Sequence, residues 1–129
     1  VAEIREALPH MSVTGGGETT VALAGKYGEK IGLLGITDYA PRAYRKLPKD
    51  RLVAVEKPEG VNSTLDLMTD EGRKNCVACA RKIKDVIALG CTGLTTIGIA
   101  KLLEQEVGLP VIDPVLAEGT FAFFESIRK

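Results

Sequence analysis

The sequence predicts an α/β domain with a parallel, doubly wound sheet and flanking helices, and two observations lead to it. Short apolar runs at residues 31–36, 51–56, 86–89 and 110–113 alternate with segments of helical periodicity over most of the chain. The run Val86-Ile-Ala-Leu89 is apolar throughout and β-branched at two positions, the pattern of a strand buried on both faces of a parallel sheet.

Each element follows from local chemistry. Residues 1–8 carry apolar positions at Val1, Ile4, Ala7 and Leu8, a helical spacing that Pro9 closes. Residues 11–14 read as a short strand. The loop Gly15-Gly16-Gly17 leads through Glu18, Thr19 and Thr20 to a helix at 21–27 that ends at Gly28. Residues 31–36 form the second apolar run, with small residues suited to a strand packed closely under helices. Thr37 and Asp38 read as turn and cap, Pro41 fits the first turn of a short helix to about Leu47, and 51–56 is the next strand. Residues 57–63 hold Pro58, Gly60 and Asn62 and form a loop.

Thr69 is placed to cap a charged helix running to Lys84, with acids in its first turn and Cys76, Cys79, Ala80 and Ile83 on its buried side. After the strand at 86–89 comes the glycine-flanked turn at Cys91. A helix from Leu94 to Val107 follows, with Ile97, Ala100, Leu103 and Val107 on its inner face and Gly108 as its stop. Residues 110–113 make the last strand. Pro114 opens a final helix whose apolar side is Leu116, Thr120, Phe123, Phe124 and Ile127.

The totals narrow the function. The 129 residues suit one domain with a real core, so residues 1–129 are read as a single α/β domain. The 17 basic and 17 acidic side chains cancel, which gives no field to gather nucleic acid or an anionic membrane. No apolar stretch approaches the roughly 18 residues of a membrane helix, and no signal-peptide pattern opens the chain. Three cysteines in a core-forming chain argue against a disulfide scaffold and for a reducing, cytoplasmic setting. The first residue is Val1 within a helical pattern, so the chain is expected to begin inside something larger.

Cys91 is the principal chemical candidate. It stands just past a buried strand, between Gly90 and Gly93, where a helix begins. In open α/β sheets ligands bind at that boundary, and N–H groups at a helix start favour a thiolate. The N–H groups of Thr92 and Gly93, with the Thr92 hydroxyl, are placed to hold a carboxylate or a developing enolate. A thiolate beside such a turn suits proton abstraction next to a carbonyl. Cys76 and Cys79 form C-x-x-C in mid-helix without a second Cys/His pair, so they read as core residues and no metal site is expected. His10 reads as a surface or capping residue. Asp113 shares the sheet edge with Cys91 and is suited to cap the last helix. The loop at Gly15 matches neither G-x-G-x-x-G nor a Walker A motif.

Leu89-Gly-Cys-Thr-Gly93, followed by a helix and then Gly108-Leu-Pro-Val-Ile-Asp-Pro-Val115, resembles the second half of the aspartate/glutamate/hydantoin racemase superfamily. Val13-Thr-Gly-Gly-Gly-Glu-Thr-Thr20, a helix, and Lys30-Ile-Gly-Leu-Leu-Gly-Ile36 are most similar to its hydantoin racemase branch, so the resemblance covers nearly the whole chain. It implies a cofactor-independent racemase of two similar halves, each presenting a cysteine to one face of the substrate Cα. Cys91 falls on the second-half cysteine, and Thr92 and Gly93 fall on residues that bind the substrate carboxylate or ring carbonyl. Gly16, Gly17 and Glu18 fall on the glycine-rich loop near the cleft.

A first half and its cysteine are not in these residues. The resemblance therefore implies that this chain alone is inactive, that a missing first half or a second chain completes the site, and that homo-oligomers form. Gly93 stands where a His or Glu is often found in the amino-acid racemases. Relatives that isomerise maleate or decarboxylate malonates share the cysteine position, and a carboxylate-binding or assembly module without catalysis is the reading from a different class.

Overall fold

Four short parallel strands set the architecture of the computed structural model, which describes residues 1–128. They are β1 (Ile31–Leu34), β2 (Leu52–Glu56), β3 (Val86–Leu89) and β4 (Val111–Ile112), in the order β2-β1-β3-β4. The two middle strands pair in register from Ile31 with Val86 to Leu34 with Leu89. The helices are α1 (Ala2–Ala7), α2 (Gly16–Ala24), α3 (Arg42–Arg45), α4 (Asp70–Ala80), α5 (Thr92–Thr96), α6 (Ile99–Val107) and α7 (Pro114–Arg128). A single 3-10 turn, Asp66–Met68, precedes α4. The predicted parallel α/β fold with flanking helices is therefore the fold of the protein.

The sheet is covered on both faces because each central strand is apolar at every position. Leu34, Ile87 and Leu89 pack with Cys76, Cys79, Ala80 and Ile83 of the α4 region and with Ile99 and Leu103 of α6. Ile31, Leu33, Val86 and Ala88 point the other way, onto Ala24 of α2, Tyr44 of α3 and Ala117 of α7. Alternation along the strands thus divides the apolar residues between two cores. Gly32 is required by this packing, since a Cβ there would lie 2.3 Å from Cγ2 of Ile83. The edge strand β2 is covered less completely and leaves Val53 and Val55 exposed.

Several elements differ from the sequence expectation. Residues 11–14 form no strand; the carbonyl of Val13 instead accepts hydrogen bonds from Nε and Nη2 of Arg5, at 3.2 and 2.7 Å. Helix α2 begins at Gly16, so the glycines are its cap and first turn rather than a loop. Thr19 and Thr20 are weak helix formers, but they are buried and turn their hydroxyls back onto the carbonyls of Gly15 and Gly16. Helix α4 stops at Ala80, short of Lys84.

The helix expected over 94–107 is two helices, because Gly98 adopts a left-handed conformation with φ of 64° and breaks the run. Helix α7 turns its expected apolar side outward: Leu116, Phe123, Phe124 and Ile127 are exposed, and its buried residues are Pro114 and Ala117. Helix α7 packs on α2 instead through its first turn, with Gly16 of α2 beside Pro114 and Glu118.

Among the described residues, no helix is long and apolar enough to cross a membrane. The hydroxyl of buried Tyr44 has no hydrogen-bond partner among the described residues, and its burial, only partly offset by the nearby Thr20 side chain, pushes the phenol far above its ordinary pKa.

Two stability measurements check this packing. Gly32→Ala is expected to lower the unfolding free energy by about 1–3 kcal/mol in urea titration, the usual cost of overpacking. Tyr44→Phe, which removes an unsatisfied buried hydroxyl, is expected to leave stability unchanged or raise it.

Candidate active site at the carboxyl edge of the sheet

Because all four strands run the same way, the turns after Leu34, Glu56, Leu89 and Ile112 open on one edge of the sheet. Helices α2, α5 and α7 begin there. Gly16 lies beside Pro114 and Glu118, with its missing Cβ 3.9 and 3.6 Å from them, which joins the α2 and α7 starts. Helix α7 also packs on α5.

Cys91 is delivered to this edge by the end of β3. Gly90 continues the ladder by donating its N–H to the Leu34 carbonyl at 2.8 Å. A side chain at Gly90 would meet Leu33 at 2.8 Å, so glycine lets the turn close down on β1. Cys91 then takes extended backbone angles, φ −141° and ψ 132°, and caps α5. Its half-buried Sγ accepts the Gly93 N–H at 3.4 Å. Thr92 is exposed and its hydroxyl has no hydrogen-bond partner among the described residues, while its carbonyl accepts from the Thr96 hydroxyl at 3.2 Å.

Gly93 is bracketed by two groups. A Cβ there would stand 2.7 Å from Cγ2 of Thr64 and 3.4 Å from Sγ of Cys91. Thr64 belongs to the segment after β2. Sequence reading missed it: Asn62, Ser63 and Asp66 mark a turn, but nothing local says which turn it packs against.

The other candidate residues fall at the start of α2. The missing Cβ of Gly17 is 3.0 Å from Cβ of Ala43. Glu18 closes the first turn of its helix by accepting the Gly15 N–H at 3.1 Å, and its carboxylate forms an ion pair with Arg5. That carboxylate is therefore engaged within the protein. The two turns share the sheet edge through α7, with Cys91 to Gly93 on one side and Gly16 to Glu18 on the other.

The remaining titratable candidates have structural settings. Oδ1 of buried Asp113 accepts the N–H groups of Val115 and Leu116, at 2.9 and 3.1 Å, and so caps α7. Cys76 and Cys79 lie in the core, where burial pushes both thiols up to about 11. His10 is exposed. Among the described residues, no group of three His, Cys, Asp or Glu side chains could hold a metal ion. A cleft of about 560 Å³ between the 5–14 segment, Glu18 and Phe121 lies away from Cys91.

The sheet is parallel and flanked by helices, and one accessible cysteine stands at a strand end, contacted by a helix N–H and flanked by glycines. The chain belongs to the Asp/Glu/Hydantoin racemase family, whose model matches residues 1–119. Among solved structures it is similar to an allantoin racemase from Pseudomonas fluorescens, with 26% identity and a TM-score of 0.72. That likeness covers 92% of this chain and 55% of the other, so the chain spans about half the length of the solved relative. Among curated proteins no significant match was found.

Thiol accessibility gives a direct check. In the folded protein iodoacetamide is expected to modify Cys91 alone, and Cys76 and Cys79 only after denaturation, as read by peptide mass spectrometry. Alkali gives a second check. The two core thiols have folded values raised from an ordinary 9.0 to about 11, so their protonated forms stabilise the fold fully below pH 9. This contribution is lost as pH rises through 11, and the urea midpoint is expected to fall across that window.

Proposed function

We propose that the intact protein is a cofactor-independent racemase of a hydantoin or an amino acid, in which Cys91 is one of two acid/base groups at the substrate Cα. The observation that carries this reading is the placement of Cys91: an accessible thiol capping α5 at the carboxyl edge of the sheet, in a chain of the racemase family. The likeness to an allantoin racemase supports a substrate with a ring or chain carbonyl next to the reacting carbon.

The chemistry follows from that placement. The Cys91 thiolate takes the proton from Cα, and the electron pair left behind delocalises onto the adjacent carbonyl oxygen. In this reading the Thr92 N–H and hydroxyl, with the Gly93 N–H that also contacts Cys91 Sγ, are the donors for a substrate carboxylate or carbonyl, and the Gly16–Glu18 turn borders the same edge. Return of a proton to the opposite face inverts the centre and needs a second acid. We place that acid outside these 129 residues, in another part of the polypeptide or in a second chain, so the domain by itself is expected to be inactive. The free thiols fit a reducing, cytoplasmic compartment, and a self-associating assembly is part of the proposal.

In the intact protein Cys91→Ser is expected to lower the exchange of the substrate Cα hydrogen with deuterated water by about three orders of magnitude in at least one direction, measured by NMR on allantoin, hydantoins, aspartate and glutamate. Unchanged exchange would overturn the assignment. Carboxylate binding without any exchange in the wild type would instead mark a non-catalytic module.

A further inference from the structure

The segment between β2 and α4 has a built structure that the racemase reading leaves without a role. The Asp66 carboxylate accepts the N–H groups of Asn62 and Ser63 at 2.8 and 2.9 Å, and the Ser63 hydroxyl at 3.3 Å. Those two N–H groups hold the Asp66 carboxyl below the ordinary carboxylate range. Nζ of Lys57 donates to Oδ1 of Asn62 at 2.9 Å, and Nδ2 of Asn75 donates to the Glu59 carbonyl at 2.9 Å. Pro58, Val61 and Leu67 are buried beneath it. The loop is therefore closed on itself by its own side chains and tied to α4 through Asn75.

Thr64 is where this loop meets the Cys91 turn. The Thr64 methyl group and the Cys91 sulfur both lie within 3.4 Å of the one point where a Gly93 Cβ would stand. The absence of a side chain at Gly93 lets the loop close on the turn. Thr64 is nevertheless exposed, and its hydroxyl makes no hydrogen bond among the described residues. A β-branched side chain with its methyl packed and its hydroxyl unused is suited to meet a ligand's polar group.

We propose that Thr64 is a substrate-contacting wall of the Cys91 site: its methyl group packs against Gly93 beside the thiol, and its hydroxyl hydrogen-bonds a carbonyl, amide or carboxylate of the bound substrate. The proposal rests on Cys91 being the reacting thiol, and it adds a specificity-determining residue from a loop that neither cysteine chemistry nor the glycine turn requires. The rigid loop makes this wall preorganised, so binding needs no ordering of the chain.

The intact protein tests the wall and the hydroxyl separately. Iodoacetamide alkylation of Cys91 needs no substrate, so it reads the wall even if the racemase reading fails. Thr64→Trp is expected to slow it about tenfold by crowding access to the thiol, with the melting temperature unchanged. If that variant is destabilised, Thr64→Leu is used, with an expected slowing of about threefold. A rate equal to wild type in a folded variant overturns the placement of Thr64.

Turnover reads the hydroxyl. Thr64→Val keeps the shape and the methyl contact, and is expected to raise KM for the substrate by about three- to tenfold with a smaller change in kcat; Thr64→Ser is expected to stay near wild type. Equal KM for Val, Ser and wild type overturns the hydrogen bond. If the wild type turns over no hydantoin or amino acid, the racemase reading has failed, and the alkylation rates alone decide whether Thr64 walls the thiol.

Discussion

Close approach of backbone at the carboxyl edge of the sheet is the constraint on which the site depends. Gly90 lets the end of β3 settle against Leu33 of β1, and Gly93 lets the loop after β2 settle against the α5 turn. Neither glycine has a positive φ, so what they supply is space rather than unusual backbone angles. With a side chain at either position the turn would have to move outward, and the Cys91 sulfur with it. The position of the thiol is thus a consequence of packing, and the Gly93 N–H that contacts the sulfur is fixed by the same turn.

The two cores make that edge rigid enough to matter. Strands β1 and β3 are buried at all eight positions, and helices lie over both faces. The acid/base role proposed for Cys91 requires a sulfur held within about half an ångström of its target, and a turn at the end of a central strand is better held than one on a free loop. The helix starts at α2, α5 and α7 gather at this edge because strands that run parallel oblige the helices between them to run back. Two of those starts are closed by carboxylates of the protein itself, Glu18 on α2 and Asp113 on α7, whereas α5 is capped by the thiol. The helix start with no carboxylate of its own is therefore the one at the proposed reacting centre.

Outside this centre the structure leaves apolar surface at α7 and β2, where large side chains face solvent. The periodicity of α7 is real, but it does not point at this domain's core. An amphipathic pattern says that one face is apolar; it does not say against what that face is buried.

Much of the fold was legible in the sequence because strand burial is a local property. Residues 86–89 carry no polar side chain, Thr69 was visible as a cap, and Asp113 before Pro114 marked a helix start. The family too was legible, from Gly-Cys-Thr and Pro-Val-Ile-Asp at their separation. Less was legible where a local preference competes with a distant contact. The α2 start moved back to Gly16 because Thr19 and Thr20 are buried, residues 11–14 gave up a strand because Arg5 takes the Val13 carbonyl, and a helix at 94–107 broke at Gly98.

By itself, the sequence determined the class of fold, the placement of Cys91 at a strand end, and the family, since each rests on residues adjacent in the chain. Only the tertiary structure decided that Glu18 is paired with Arg5, that α7 turns its aromatic side outward, and that Thr64 lies on Gly93. Those depend on residues far apart in sequence, whose meeting is set by how the layers pack rather than by any local pattern.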